Sequence, residues 1–408
     1  MVPNGWREGK VKDLVKSLDA GVSVNSEDDG NINSEFKILK TSCVSTGIFR
    51  PKKAKSVVDS KEVARLKEPV KADSIIISRM NTPALVGANG YVETEILNSF
   101  LPDRLWQVKP RDNKVNMKWL GYWFSSSHTR YALSSTATGT SGSMKNITKP
   151  DVLNIKINIP PLPEQQKIAK VLSTWDKAIS TTERLIENST QQKKALMQQL
   201  LTGKKRLLNE SEKMFEGEWE EVELSKWLVE NKEKSIVQDQ YDVYTSSRNG
   251  LVLQSEYFAN SRIAERDNIG FHVIPPDHIT YRSRSDDGFF TFNLFSSDKK
   301  GLISNYYPVF STKGSNVFFI ALFEQYRSVF GRYSVGTSQK VLSLNALKDI
   351  LFKIPSIQEQ QKIATVLTNA DKEIELLEQQ LADLQQEKKA LMQQLLTGKK
   401  RVVVDGEG

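Results

Sequence analysis

The chain has 408 residues, a formal net charge of +8 and an isoelectric point near 9.2. That length accommodates two domains of ordinary size plus connecting helices, and the basic excess suits an acidic partner such as nucleic acid. A single cysteine, Cys43, excludes a disulfide framework and a thiolate metal cluster, and no apolar run approaches the ~20 residues that span a bilayer.

The opening Met1-Val2-Pro3-Asn4-Gly5-Trp6 is no signal peptide, so a soluble, cytoplasmic protein is expected. Residues 1–158 form a first globular segment of mixed α/β character. Within it Ile75-Ile76-Ile77 reads as a buried strand, Trp106-Gln107-Val108 as another, and Met117 to Phe124 as a short aromatic-rich helix. A polar run from Ser125 to Asn146 follows, containing Gly139-Thr140-Ser141-Gly142-Ser143. The strand-like Ile155 to Ile159 then leads to Pro160 and a long helix within 159–206.

Residues 207–355 repeat this plan with different side chains. Val317 to Val329 reads as an apolar helix, Gly336-Thr337-Ser338 recurs after it, and Ile350 to Ile354 leads to Pro355. Trp219 near the start echoes Trp6. A second long helix lies within 356–401, and 402–408 form a tail.

The two helical regions are copies. Glu164-Gln165-Gln166-Lys167-Ile168-Ala169 returns as Glu359 to Ala364, and Lys193 to Arg206 returns unchanged as Lys388 to Arg401. Subtracting 164 from 359, or 193 from 388, gives the same offset of 195 residues, so this is an internal duplication without insertion or deletion between the motifs. In the second copy Ile363, Leu367, Ala370, Ile374, Leu377, Leu381, Leu384, Leu391 and Leu395 follow steps of three and four, a heptad seam interrupted at Lys388. The first copy's seam is weaker, with Thr182 and Ser189 in its middle and Lys193 as its interruption. The seam lysines are expected to snorkel into solvent. Ser356 and Glu359 fit a capping box, which Pro161 removes from the first copy, and Gly203 and Gly398 supply left-handed closing residues.

A helix of about 38 residues is ~57 Å long at 1.5 Å per residue, too long to pack wholly on one domain, so each helix is expected to pair with the other. The pairing should be antiparallel, because a parallel second helix would require residues 204–220 to run back almost fully extended, at ~3.3 Å per residue. The helices have stayed alike while the globular segments diverged. The helices therefore share a task, and the globular segments perform different versions of another.

The doubled Pro-x-x-x-Glu-Gln-Gln-Lys-Ile-Ala and Leu-Leu-Thr-Gly-Lys arrangement, Pro160 to Ala169 with Leu200 to Lys204 and Pro355 to Ala364 with Leu395 to Lys399, resembles the specificity subunits of type I restriction-modification systems. The resemblance spans essentially the whole chain. It implies an α/β fold of two mixed α/β target-recognition domains separated by an antiparallel coiled coil, with an internal pseudo-twofold repeat. Each domain would read one half of a bipartite double-stranded DNA site. Two methyltransferase subunits and, for cleavage, restriction subunits would be the partners. S-adenosylmethionine, ATP and magnesium would be bound only by those partners, in a bacterial or archaeal cytoplasm.

Phosphate contacts need cations, hydroxyls and backbone amides, whereas base reading needs Arg, Lys, Asn, Gln or carboxylates in a groove. The first segment offers Arg50, Lys52, Lys53, Arg79, Asn81, Arg130, Ser141, Ser143 and Lys145. The second offers Arg248, Arg282, Arg284, Asn293, Arg332, Ser338, Gln339 and Lys340, with Arg282 and Arg284 expected on one strand face.

Catalytic signatures are weak. A nuclease-like pattern occurs at Pro276-Asp277 with Asp298-Lys299-Lys300, and at Pro102-Asp103 with Asp112-Asn113-Lys114. Its Asp-containing second halves read as turns rather than as strands around a metal. Ile274-Pro275-Pro276-Asp277 lacks the Asn/Asp-Pro-Pro-aromatic motif of amino-methyltransferases, no glycine-rich cofactor loop is present, and His128, His272 and His278 have no ligand-like partners. A non-catalytic subunit is expected. The contrasting reading is a coiled-coil scaffold with two protein-binding modules, and sequence-specific retention of duplex DNA at moderate salt separates the two.

Overall fold

The computed structural model describes residues 2–28, 34–139, 143–247, 250–257 and 267–404. Contacts divide the chain into two units, Met1–Glu183 with Gln380–Gly408, and Arg184–Gln379. Each unit therefore holds one globular segment, the beginning of the long helix that follows it and the end of the other long helix. The helices run from Leu162 to Leu200 and from Ile357 to Leu395, 39 residues each.

In the first unit a four-stranded sheet has the strand Ser74–Ser78 between Leu105–Pro110 and Asn89–Val92, with Val15–Ala20 outermost. Ile75, Ile76 and Ile77 are fully buried because both sheet faces are covered. The helix Met117–Ser125 lies on one face, where a Cβ added at Gly121 would sit 3.6 Å from Ile75. A separate three-stranded sheet contains Phe36–Leu39, Ala54–Val57 and Ser99–Phe100.

The second unit repeats the first sheet as Leu228–Glu230, Val309–Thr312, Ile279–Tyr281 and Phe292–Leu294. Its core is rich in phenylalanines, where the first unit's is rich in isoleucines and tryptophans. Phe323, on the helix Asn316–Gln325, lies 4.6 Å from the Phe292 ring and 5.7 Å from that of Phe330. This helix is shorter than the expected Val317 to Val329, because Tyr326 leaves helical geometry and the chain re-forms as the 3-10 turn Phe330–Tyr333.

Within each unit the long-helix segments are antiparallel, and the duplicated motif is the joint that fixes them to the globular part. Ile168, Ala169 and Leu172 share the first unit's core with Leu395 and Leu396, while Ile363, Ala364 and Leu367 share the second unit's core with Leu200 and Leu201. The buried Glu164 carboxylate receives two hydrogen bonds from Arg401, at 2.6 and 2.7 Å, and a third from the Trp6 indole at 2.8 Å. Glu359 receives the same two from Arg206, also at 2.6 and 2.7 Å. The Trp219 indole nitrogen is buried without a partner among the described residues, and its ring packs on Phe318 instead.

The adjacent glutamine is just as specific. Gln165 Oε1 accepts from Asn116 N–H at 2.9 Å and Gln360 Oε1 from Ser315 N–H at 3.2 Å, while their amide nitrogens donate to Pro160 and Pro355 carbonyls. Asn116 and Ser315 are the N-caps of the two apolar helices, so each glutamine ties a long helix to the helix that covers the sheet.

Three expectations about the helices are thereby refined. The Ser356 hydroxyl accepts from Glu359 N–H at 3.3 Å, but the Glu359 side chain pairs with Arg206, which offers it a charge where the capping box offers an amide. Lys388 pairs with Asp176 and Lys193 with Asp371, so the seam lysines extend to half-exposed carboxylates of the facing helix rather than ending free in water. Subtracting 176 from 371 or 193 from 388 gives 195, so the duplication contains the same cross-helix ion pair twice. Thr182 is buried because its hydroxyl is satisfied by the Ala178 carbonyl at 3.1 Å.

Gly203 and Gly398 close the helices with φ of +69° and +70°. Alanine at either position costs about 1–2 kcal/mol of backbone strain. A Cβ at 398 would also lie 2.3 Å from Pro3 Cγ, against 3.5 Å from the Trp219 ring at 203. Gly398→Ala is therefore expected to lower stability more than Gly203→Ala in urea denaturation, and equal losses would show that Pro3 yields freely. No helix of the described residues is long and apolar enough to cross a membrane.

Candidate nucleic-acid interface

In both units the central sheet strand runs out of the sheet into a short two-stranded ribbon. In the first unit Met80–Asn81 pairs antiparallel with Lys145–Asn146, and in the second Arg284–Ser285 pairs antiparallel with Lys340–Val341. The returning strands sit 195 residues apart in sequence, Lys145 matching Lys340. Their backbone anchors match as well: Ile147 N–H donates to Arg79 O and Leu342 N–H to Ser283 O, each at 2.9 Å. Thr138 bridges Asn146, and Val335 bridges Val341, to close the loop before each returning strand.

The ribbon of the second unit gathers most of the residues expected there. Arg282, Arg284 and Ser338 are exposed, and Gln339 and Lys340 are half-buried. The two arginines do not share one regular strand, however. The sheet strand ends at Tyr281, whose hydroxyl is tied to Leu342 O at 3.0 Å, and the backbone bends at Ser283 before pairing resumes at Arg284. Arg284 lies over the Tyr306 ring, 4.7 Å from its centroid, while Arg282 stacks on no ring among the described residues. Arg332 is exposed on the 3-10 turn Phe330–Tyr333, which approaches the ribbon: a Cβ at Gly288 would lie 3.9 Å from both Gly331 Cα and Lys340 Cγ.

Acidic groups line the same ribbon. Asp286 accepts from Gln339 Nε2 at 3.3 Å, and Asp287 accepts from Ser285 Oγ at 2.7 Å and Phe289 N–H at 3.0 Å. The Ser285 hydroxyl, followed by that amide, holds the Asp287 carboxyl below its usual range. Asn293 stands apart, buried in the sheet with its amide donating to Ser246 Oγ at 2.9 Å. Arg248 lies outside the described residues.

The first unit brings Arg79, Asn81, Ser143 and Lys145 to its ribbon, but with less side chain free. Asn81 is buried, accepting from Thr82 N–H at 2.9 Å and donating to Ser78 Oγ at 3.2 Å. Arg79 is half-buried over Trp106, with its Nε sealed from solvent and unpartnered. Lys145 reaches the Gly139 carbonyl at 3.4 Å. Arg130 spends its guanidinium on the carbonyls of Val86, at 2.7 Å, and Ala84, at 3.0 Å, and burial lowers its pKa. Arg50, Lys52 and Lys53 are exposed around the turn that joins the strands Ile48–Phe49 and Ala54–Val57, away from the ribbon in sequence and sheet, with Arg50 bonded to Ser45 Oγ at 2.7 Å. Ser141 lies outside the described residues.

Sequence reading missed two residues at these sites. Arg104 is exposed next to Arg79, whose amide donates to the Arg104 carbonyl at 3.0 Å. Tyr306, 60% exposed, reaches Arg284 from a separate loop. The nuclease-like Asp277 sits in a left-handed turn with φ of +57°, where Asn316 Nδ2 donates to its carboxylate at 3.2 Å. Among the described residues no group of three or more His, Cys, Asp or Glu side chains is arranged to hold a metal ion.

Residues 3–189 and 216–386 each match the family model of the type I restriction modification DNA specificity domain. The chain is 25% identical to the putative type I restriction enzyme MjaX specificity subunit of Methanocaldococcus jannaschii over 98% of its own length and 95% of the relative's. It is 28% identical to the MjaVIII specificity subunit of the same organism, over 61% of this chain and 63% of that relative, which is less than two thirds of the relative's length. The crystal structure of a type I restriction-modification S subunit from M. genitalium shares the fold, with a TM-score of 0.53 and 15% identity over 97% of this chain and 99% of that one. With its two matched repeats, each running into a long helix, the chain belongs to the family of type I restriction-modification specificity subunits.

Proposed function

We propose that the chain is the DNA-reading subunit of a type I restriction-modification enzyme, each unit recognising one half of a bipartite duplex site through its ribbon. The paired helices set the gap between the half-sites and dock two methyltransferase subunits, with restriction subunits joining for cleavage. The observation that carries this reading is the repeated ribbon. The same backbone device stands at the same place in both units with side chains that differ apart from Lys145 and Lys340, while the glutamate–arginine pairs that join the globular parts to the helices are the same. Divergent readers on an invariant mount suit two different half-sites.

The role assigned to this chain is non-catalytic, with S-adenosylmethionine, ATP and magnesium on the partner subunits. Incubated alone with DNA, the purified chain is expected neither to methylate nor to cut it, and methyl transfer from S-adenosylmethionine should appear when methyltransferase subunits are added. Activity that co-purifies with this chain alone through successive columns would overturn the assignment.

A further inference from the structure

We propose that Arg284 is the specificity-determining residue of the second unit, its guanidinium seated over the Tyr306 ring to read one guanine of the half-site; the assignment rests on the DNA-reading function above. Four arginines stack on aromatic rings among the described residues, and three are committed elsewhere. Arg401 is bonded to Glu164, Arg327 reaches Thr291 Oγ1 at 3.5 Å and Glu324 at 3.7 Å, and Arg79 is half-buried with its Nε sealed. Arg284 is exposed, and its side chain has no hydrogen bond or ion pair among the described residues. The nearest carboxylates in sequence are engaged, Asp286 by Gln339 and Asp287 by Ser285 and Phe289.

Both stacking partners are braced through backbone. Ser283 Oγ donates to Tyr306 O at 2.7 Å, joining the bend before Arg284 to the loop that carries the ring, and Leu342 N–H holds Ser283 O. A phosphate contact can be made by charge alone, as lysine makes it, over many rotations of the side chain. Arginine reads guanine with a planar fork at fixed orientation, its paired donors meeting O6 and N7. An arginine seated over a ring, 4.7 Å from its centroid, with its donors unspent meets that second demand, and ordering it in the complex costs little further entropy. Arg282, exposed and unstacked, meets only the first.

The test is selection of bound duplexes by the complete methyltransferase complex from a library with randomised half-sites and gaps, comparing R284A, R284K, Y306A, Y306F and R282A. In R284A and R284K the preference for guanine at one position should fall by about 5- to 150-fold. Y306A should lose part of that preference and Y306F none. R282A should weaken binding evenly across sequences and reduce the salt slope by about 0.9. Unaltered preferences at the other positions of the second half-site confirm in each variant that the mutated unit is folded. Retention of the guanine preference by R284K, or by R284A, would overturn the assignment. A wild-type complex that selects no split site would instead overturn the DNA-reading function, and this assignment with it.

Discussion

Replacing Arg206 with alanine is expected to destabilise the Arg184–Gln379 unit by about 3–5 kcal/mol, the cost of leaving a buried carboxylate without its charge partner. The Glu359 side chain is only 2% exposed, and Arg206, itself 18% exposed, provides two of its hydrogen bonds while donating a third to the Gly217 carbonyl at 2.8 Å. Arg401→Ala should cost less. Its side chain is 42% exposed, so water can enter the space it leaves, and Glu164 keeps the Trp6 indole as a donor. Combining R206A with E359L removes both charges and should restore most of the lost stability, because a buried ion pair replaced by packed apolar groups is often neutral. Thermal and urea unfolding of the two single variants and the double variant measure all three effects. Equal, small losses in R206A and R401A would show that the latch is solvated rather than buried.

The second large effect concerns DNA spacing. Inserting one heptad into each long helix, near Thr182 and Leu377, places the additions between Asp176 and Lys193 on one helix and between Asp371 and Lys388 on the other. Both ion pairs, Lys388 with Asp176 and Lys193 with Asp371, then keep their partners. Seven helical residues add ~10.5 Å, which corresponds to about three base pairs at 3.4 Å each. The half-site sequences should stay as they are while the preferred gap lengthens. Three base pairs also turn the second half-site by roughly a third of a turn, whereas the coil drifts only ~20° per heptad. A selected gap that differs by other than three, or weaker binding at the lengthened gap, is therefore an accepted form of the result. An unchanged gap with undiminished affinity would mean that the helices do not set the spacing.

The helices were legible in the sequence because their signals are local or periodic. The steps of three and four, the closing glycines and the 195-residue offset are all visible along one strand of text. What the duplicated motif does was not, because its partners are remote: Glu164 meets Arg401 at a separation of 237 residues and Glu359 meets Arg206 at 153. The same remoteness hid the seam ion pairs, since a lysine in an apolar pattern carries no mark of the aspartate opposite it. The buried strand Ser74–Ser78 and the covering helix Met117–Ser125 were readable from their unbroken apolar runs.

The candidate interface was legible in part. Arg282, Arg284 and Ser338 to Lys340 were singled out as separate basic or polar clusters, and the antiparallel pairing of Arg284–Ser285 with Lys340–Val341 brings them together. Residue type alone did not separate free side chains from committed ones. Arg130 resembles Arg284 in the sequence, yet its donors hold the carbonyls of Val86 and Ala84, and Asn293 lies within the sheet. The bend at Ser283 breaks the alternation assumed for Arg282 and Arg284, and Tyr306 comes from a loop that no periodicity links to the ribbon.

The central claim, that two different readers on one mount recognise a split site, is tested most directly by mapping methylated bases across a genome in cells that express this chain with its methyltransferase subunits. The account predicts a single motif of two fixed half-sites separated by a constant number of unconstrained positions, absent when this chain is deleted. A contiguous motif, or methylation that persists unchanged without the chain, would contradict it.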